Sequence, residues 1–210
     1  MKNLIFFLIG LCTLPSAFAS ENSKVLVVLN QGYRPEEYWS PRKLFDTAKF
    51  KVTVAARYAG DVFPSRSHLS EVPPVKADVT FDQVLVKDYD AVVFVGGNGA
   101  WNDLLPIPTV HKILLESVRL NKITGLICAA TGLLGTANNL DGGHPQFSGR
   151  HVTGYFEVEG ILRQMGKMNY DPGEAGKPYV VTDGQLITGR DSISAQLFGE
   201  TMVSAIKAKH

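Results

Sequence analysis

The chain is poor in cysteine, in long apolar runs and in charge of either sign. Only Cys12 and Cys128 occur in 210 residues. If Cys12 is removed with a leader segment, no disulfide can form within the chain, and its stability must come from a hydrophobic core. No apolar stretch approaches the length of a membrane span. The formal net charge is +1, with no basic stripe or tail, which excludes nucleic acid and anionic membranes as evident partners. Low-complexity segments, internal repeats and long linkers are also missing. No pair of histidines has metal-ligand spacing, so neither a zinc site nor any other cofactor is expected.

The N-terminus reads as an export signal. Lys2 supplies a positive start, residues 4–11 a short apolar stretch, and Ala17-Phe18-Ala19 a small-x-small cleavage site. Leu11 argues against lipoprotein-type cleavage before Cys12. Residues 1–19 are therefore read as a signal peptide, and the mature chain starts near Ser20, exported to a periplasm or secreted. Residues 20–210 suit one globular domain with a sizeable core.

Within that domain, continuous apolar runs at 24–29, 51–56, 91–95 and 123–127 predict strands covered on both faces. Helices are expected at 41–48, at about 102–120 with interruptions near Pro106 and Pro108, at 130–138 and at 155–165. Short strands and a loop fill 57–80, and a further strand covers 150–153. Asp183-Gly184 turns a hairpin between 179–182 and 185–188. The last helix spans about 192–207, with Asp191 or Ser192 as N-cap. Strands alternating with helices imply an α/β fold built on a parallel sheet. Sites in such sheets form beyond the carboxyl ends of the strands. Residues 30–39, 96–100 and 128–132 fall at those ends.

Cys128 ends a strand-like run and is followed by small residues and a new helical pattern. This arrangement suits a nucleophile elbow, a strained turn that exposes one reactive side chain. A buried cysteine serving as a small hydrophobe is the alternative. A helix beginning just after Cys128 would aim amides and its positive dipole end at the sulfur. Gly96-Gly97 allows backbone amides to approach, so the Gly97 and Ala129 amides form a candidate oxyanion hole. Glu36 and Glu37 are candidate partners of the thiol; a protonated Glu37 beside Cys128 would titrate as one unit with it. Their alternative role is a solvated acidic helix start. Among the histidines, His144 is a candidate to reach the site from a Gly-rich loop, His151 is expected to be structural and His111 to lie on the surface. His68 and His210 have no local context.

Together, Glu37-Tyr-Trp-Ser-Pro41, the run Tyr89 to Gly97, Gly125-Leu-Ile-Cys128-Ala-Ala and Leu186-Ile-Thr-Gly-Arg190 resemble the ThiJ/PfpI superfamily. The resemblance spans nearly the whole mature chain. It implies a single-domain sandwich around a parallel sheet, of flavodoxin-like or class I glutamine amidotransferase-like type. It also implies Cys128 as nucleophile, Glu37 as its acid, Gly97 and Ala129 as oxyanion amides, Arg190 at the site's border, and a homodimer or larger homo-oligomer. Two departures narrow the chemistry. Ala129 stands where protease-like members carry histidine, and Gly154-Tyr155 where others place one. Tyr155 is left as a proton donor or aromatic cover, with Tyr155, Arg190 and His144 as candidate substrate-binding residues. Three functions remain open: a cysteine-dependent hydrolase or lyase of small carbonyl or amide compounds (glyoxalase- or deglycase-like), a non-enzymatic oxidative-stress sensor or chaperone-like protein, and a ligand-binding fold with a decayed site.

Overall fold

The apolar runs form the centre of the molecule. A computed structural model describes residues 22–68, 71–140 and 145–209. Residues 1–21, including Cys12 and the expected signal peptide, lie outside the described residues, as do His144 and His210. The elements run in the order β1 (Lys24–Val28), α1 (Pro35–Thr47), β2 (Lys51–Ala56), β3 (Gly60–Val62), β4 (Val75–Ala77) and β5 (Val79–Thr80). There follow β6 (Ala91–Phe94), α2 (Ala100–Asp103), α3 (Pro108–Arg119), β7 (Ile123–Ile127) and α4 (Gly132–Thr136). The chain ends with β8 (His151–Val152), β9 (Asn169–Tyr170), β10 (Val180–Asp183), β11 (Leu186–Gly189) and α5 (Ala195–Ala208).

The main sheet has strand order β10-β11-β7-β6-β1-β2-β5. All its pairings are parallel except the β10–β11 hairpin. Every residue of β6, β7 and β11 is buried, as expected for strands covered on both faces. Successive residues of β7 show the two covering layers. The Thr124 hydroxyl donates to Ser117 of α3 at 3.0 Å, whereas a Cβ on Gly125 would lie 2.6 Å from Met202 of α5. Because neighbouring strand residues face opposite ways, α3 and α5 lie on opposite faces. The chain is thus a single-domain α/β sandwich on a mainly parallel sheet, as the sequence pattern implies.

Helix boundaries required correction. The first helix starts at Pro35 rather than Pro41, and Pro41 lies inside it. Pro35 sits at the start, where a missing N–H costs nothing, so Glu36 and Glu37 occupy the first helical turn. The segment 102–120 is two helices, separated at Leu104–Ile107. After Cys128 comes a 3-10 turn over Cys128–Thr131, and only then the five residues of α4. That helix is too short for a sizeable dipole, so its local amides carry the electrostatics. Residues 155–165 split into a 3-10 turn (Phe156–Val158) and a π-helical turn (Ile161–Met165).

The order β7-β6-β1 makes the three loops after these strands neighbours. Asn30, fully buried, fastens two of them. Its Nδ2 donates to the carbonyls of Val95 at 2.8 Å and Gly96 at 3.0 Å. Tyr33 forms isolated bridges to both Gly97 and Pro64, which brings the segment holding Ser65 to the same edge.

Candidate active site

Cys128 has φ +59°, in the left-handed region that non-glycine residues rarely enter. Its carbonyl is held by the Thr131 hydroxyl at 2.7 Å and by the Tyr155 amide at 3.4 Å. These bonds hold the turn against its strain. The turn also needs space opposite the sulfur, and Gly96 supplies it. A Cβ there would lie 2.6 Å from Glu37 Oε2 and 2.8 Å from Cys128 Cβ. Gly97 adopts φ +102°, and a Cβ on it would meet the Arg34 amide nitrogen at 2.5 Å. Both glycines are therefore required by geometry.

The sulfur is nearly buried, with Cys128 8% exposed. The backbone amides of Ala129 and Gly97 point hydrogen bonds at it and favour its thiolate. Burial dominates in the other direction, followed by the charge and hydrogen bond of Glu37, and the thiol is pushed well above its ordinary value. Glu37, only 1% exposed, is itself raised to about 8, chiefly by burial. The thiol and the neighbouring Arg34 charge act against that rise. Glu37 Oε2 has no hydrogen-bond partner among the described residues, while a hydrogen bond between the carboxyl group and the thiol favours the charged carboxylate. At neutral pH Glu37 is a carboxylic acid, and its protonation removes one of the charges that oppose a thiolate.

Cys128, Glu37, Gly97, Ala129 and Tyr155 line one cleft of about 230 Å³. Trp101 and Tyr155 contribute aromatic surface to it. Arg190 is placed elsewhere: it borders the adjoining hollow, and its donors go to Asp191 and to the carbonyls of Pro172, Glu174 and Lys177. It fastens the 172–177 loop. Among the histidines, His111 is buried rather than on the surface, with Nε2 2.6 Å from the Leu105 carbonyl. The His151 side chain is exposed, while its amide donates to Asp183. Gly154 leaves no room for a histidine at its position. A Cβ there would fall 2.0 Å from Thr131 Oγ1, the group that holds the elbow carbonyl.

Sequence reasoning missed a polar wall. Arg34, Ser65 and Ser67 also line the cleft. Arg34 Nε lies 3.0 Å from Glu36 Oε2, and Glu36 Oε1 lies 3.8 Å from His68 Nε2. His68 Nδ1 is 2.9 Å from Ser65 Oγ and 2.8 Å from Ser67 Oγ. Arg34 stands three residues before Glu37, a spacing that could have marked it. Ser65, Ser67 and His68 gave no periodic or motif signal.

A cysteine elbow at the carboxyl edge of a doubly covered parallel sheet, with a buried acid and two convergent amides, defines a class of cysteine-centred α/β proteins. The sequence pattern of the DJ-1/PfpI family matches residues 23–205, and the chain belongs to that family. It is 30% identical over 190 residues to the uncharacterized protein MJ0967 of Methanocaldococcus jannaschii, covering 89% of this chain and 84% of the relative. It is 26% identical over 188 residues to protein dj-1beta of Drosophila melanogaster, covering 90% and 91% of the two chains. The crystal structure of Drosophila DJ-1beta matches with TM-score 0.73 over 89% of this chain and 91% of that one. A ThiJ/PfpI domain protein from Brachyspira murdochii shares the fold at TM-score 0.74 and 22% identity, covering 90% and 97%.

Proposed function

We propose that this DJ-1-like protein is a Cys128-dependent enzyme acting on small carbonyl compounds, with glyoxalase- or deglycase-like chemistry. The observation that carries the reading is the strained Cys128 turn, which presents a sulfur to a small cleft between two amides and a neutral acid. In the first step Sγ bonds to the carbonyl carbon. The C=O π electrons move to oxygen, and the thiol proton ends on that oxygen, leaving a hemithioacetal. The Gly97 and Ala129 amides stabilise negative charge, first on sulfur and then on oxygen. Glu37 moves protons between the adduct's atoms, because its pKa near 8 lets it give and take them close to neutrality. Without histidine after Cys128, peptide hydrolysis fits less well.

A second reading is supported by the orphan Glu37 Oε2. A carboxylic acid there can donate to an oxygen added to the sulfur, as a redox sensor requires. One experiment separates the two. Methylglyoxal consumption should be measurable in the wild type and abolished in Cys128→Ala. Lack of turnover across a panel of small carbonyl compounds, with selective oxygen addition at Cys128 under mild peroxide, assigns the protein to sensing instead. The signal-like residues 1–19 support an exported location for this chemistry, and the family resemblance supports a homo-oligomer.

A further inference from the structure

The polar residues Arg34, Ser65 and Ser67 that line the cleft have no task in the chemistry above. Arg34 is 40% exposed at its side chain, and its Nε is ion-paired with Glu36 at 3.0 Å without a well-aligned hydrogen bond. Its two Nη groups have no hydrogen-bond partner among the described residues, although Arg34 lines the cleft. Its backbone is fixed beside the site, since the Arg34 amide donates to the Gly96 carbonyl at 3.4 Å. Glu36 holds the guanidinium from behind and is in turn faced by His68. His68 Nε2 lies 3.8 Å from that carboxylate, and in the tautomer that carries its proton on Nε2 the Nδ1 atom is an acceptor with a single lone pair. In that tautomer it receives one serine hydroxyl at a time, and the other of Ser65 and Ser67 can turn either to its neighbour's oxygen, 3.4 Å away, or into the cleft. The remaining carboxylate of the cleft, Asp191, is already engaged by Arg190 and Ser194.

We propose that Arg34, together with the Ser65 and Ser67 hydroxyls, forms a carboxylate-binding subsite, so that the ligand is a small carbonyl compound bearing a carboxylate, of the 2-oxo acid class. The inference rests on the reading of the cleft as a carbonyl site. The open Nη edge of a guanidinium matches the two oxygens of a carboxylate. A ligand so held keeps its carbonyl for Cys128 and the amides of Gly97 and Ala129. Neutral dicarbonyls lack the group that Arg34 would take. Arg34, Ser65 and Ser67 are thus specificity determinants, and Glu36 and His68 are positioning residues behind them.

The test is an NMR titration of the full protein with pyruvate and, separately, with its neutral analogue pyruvamide, following the Gly97 and Ala129 amides. Pyruvate should bind about tenfold or more tightly than pyruvamide, as expected for hydrogen bonds to a charged group. Arg34→Gln should erase the preference, and Arg34→Lys should retain part of it. Equal binding of both compounds, no binding of pyruvate, or a preference that survives Arg34→Gln would overturn the proposal. The titration needs no turnover. Carboxylate preference without consumption of any carbonyl compound therefore sinks the enzyme reading alone, and turnover without carboxylate preference sinks the subsite alone.

Discussion

Glu37 and Cys128 show how burial sets reactivity. Neither side chain is unusual in sequence, yet the first turn of α1 carries the acid under the elbow, and the medium there disfavours both charges. The consequence for stability has a definite sign. Glu37 is raised from 4.5 to about 8 in the folded chain, so between those values the folded state binds a proton that the unfolded state has released. Stability from this group is fully present below about 4.5 and declines as pH rises towards 8. Thermal unfolding of wild type and Glu37→Gln should therefore diverge: the variant gains relative to wild type from pH 5 to pH 8. A constant difference between the two melting temperatures across that range would contradict the buried-acid account. At this scale the sequence was only partly legible. Cys128, Glu37 and Gly97 stood out because strand ends, an acid pair and a Gly-Gly turn are local signals. Asn30 and His68 did not, because each acts through partners distant in the chain or through side-chain geometry.

The elements were legible where burial is uniform and obscure where packing overrides propensity. The strands β1, β6 and β7 follow directly from uninterrupted apolar runs. The first helix is foreshortened when read from sequence, because Pro41 looks like a boundary. The structure keeps the proline inside α1, where its missing N–H leaves the Glu37 carbonyl without the usual helical donor. What compensates is close packing against α5: a Cβ on Gly199 would lie 2.8 Å from Pro41 Cα and 2.7 Å from Leu44 Cδ1. The helix that carries the acid is thus held by a helix near the C-terminus. Gly199→Leu should force the two apart and cost about 1–3 kcal/mol of stability, measured by urea unfolding. It should also alter the Cys128 alkylation rate, because α1 carries Glu37. A substitution that leaves both unchanged would show that this crossing does not position the acid.

The whole molecule explains why residues so far apart in sequence form one site. With β7, β6 and β1 adjacent and parallel, the loops that follow them open on one edge. That convergence was legible from the alternation of strands and helices, before any side-chain contact was known. The polar wall was not, since Ser65 and Ser67 reach the cleft only through the Tyr33 bridges to Pro64 and Gly97. The same arrangement makes the Cys128–Glu37 pair the centre on which both proposed functions, carbonyl chemistry and sulfur oxidation, depend. The pH profile of Cys128 alkylation by iodoacetamide, in wild type and in Glu37→Gln, tests that pair most directly. Glu37 raises the thiol through its charge and its hydrogen bond, so the inflection in Glu37→Gln should move to lower pH, with the gain in alkylation rate appearing above about pH 8, where the wild-type carboxylate is charged. An unchanged profile, or a Cys128 that resists alkylation in both proteins, would contradict a coupled reactive pair and return the thiol to packing.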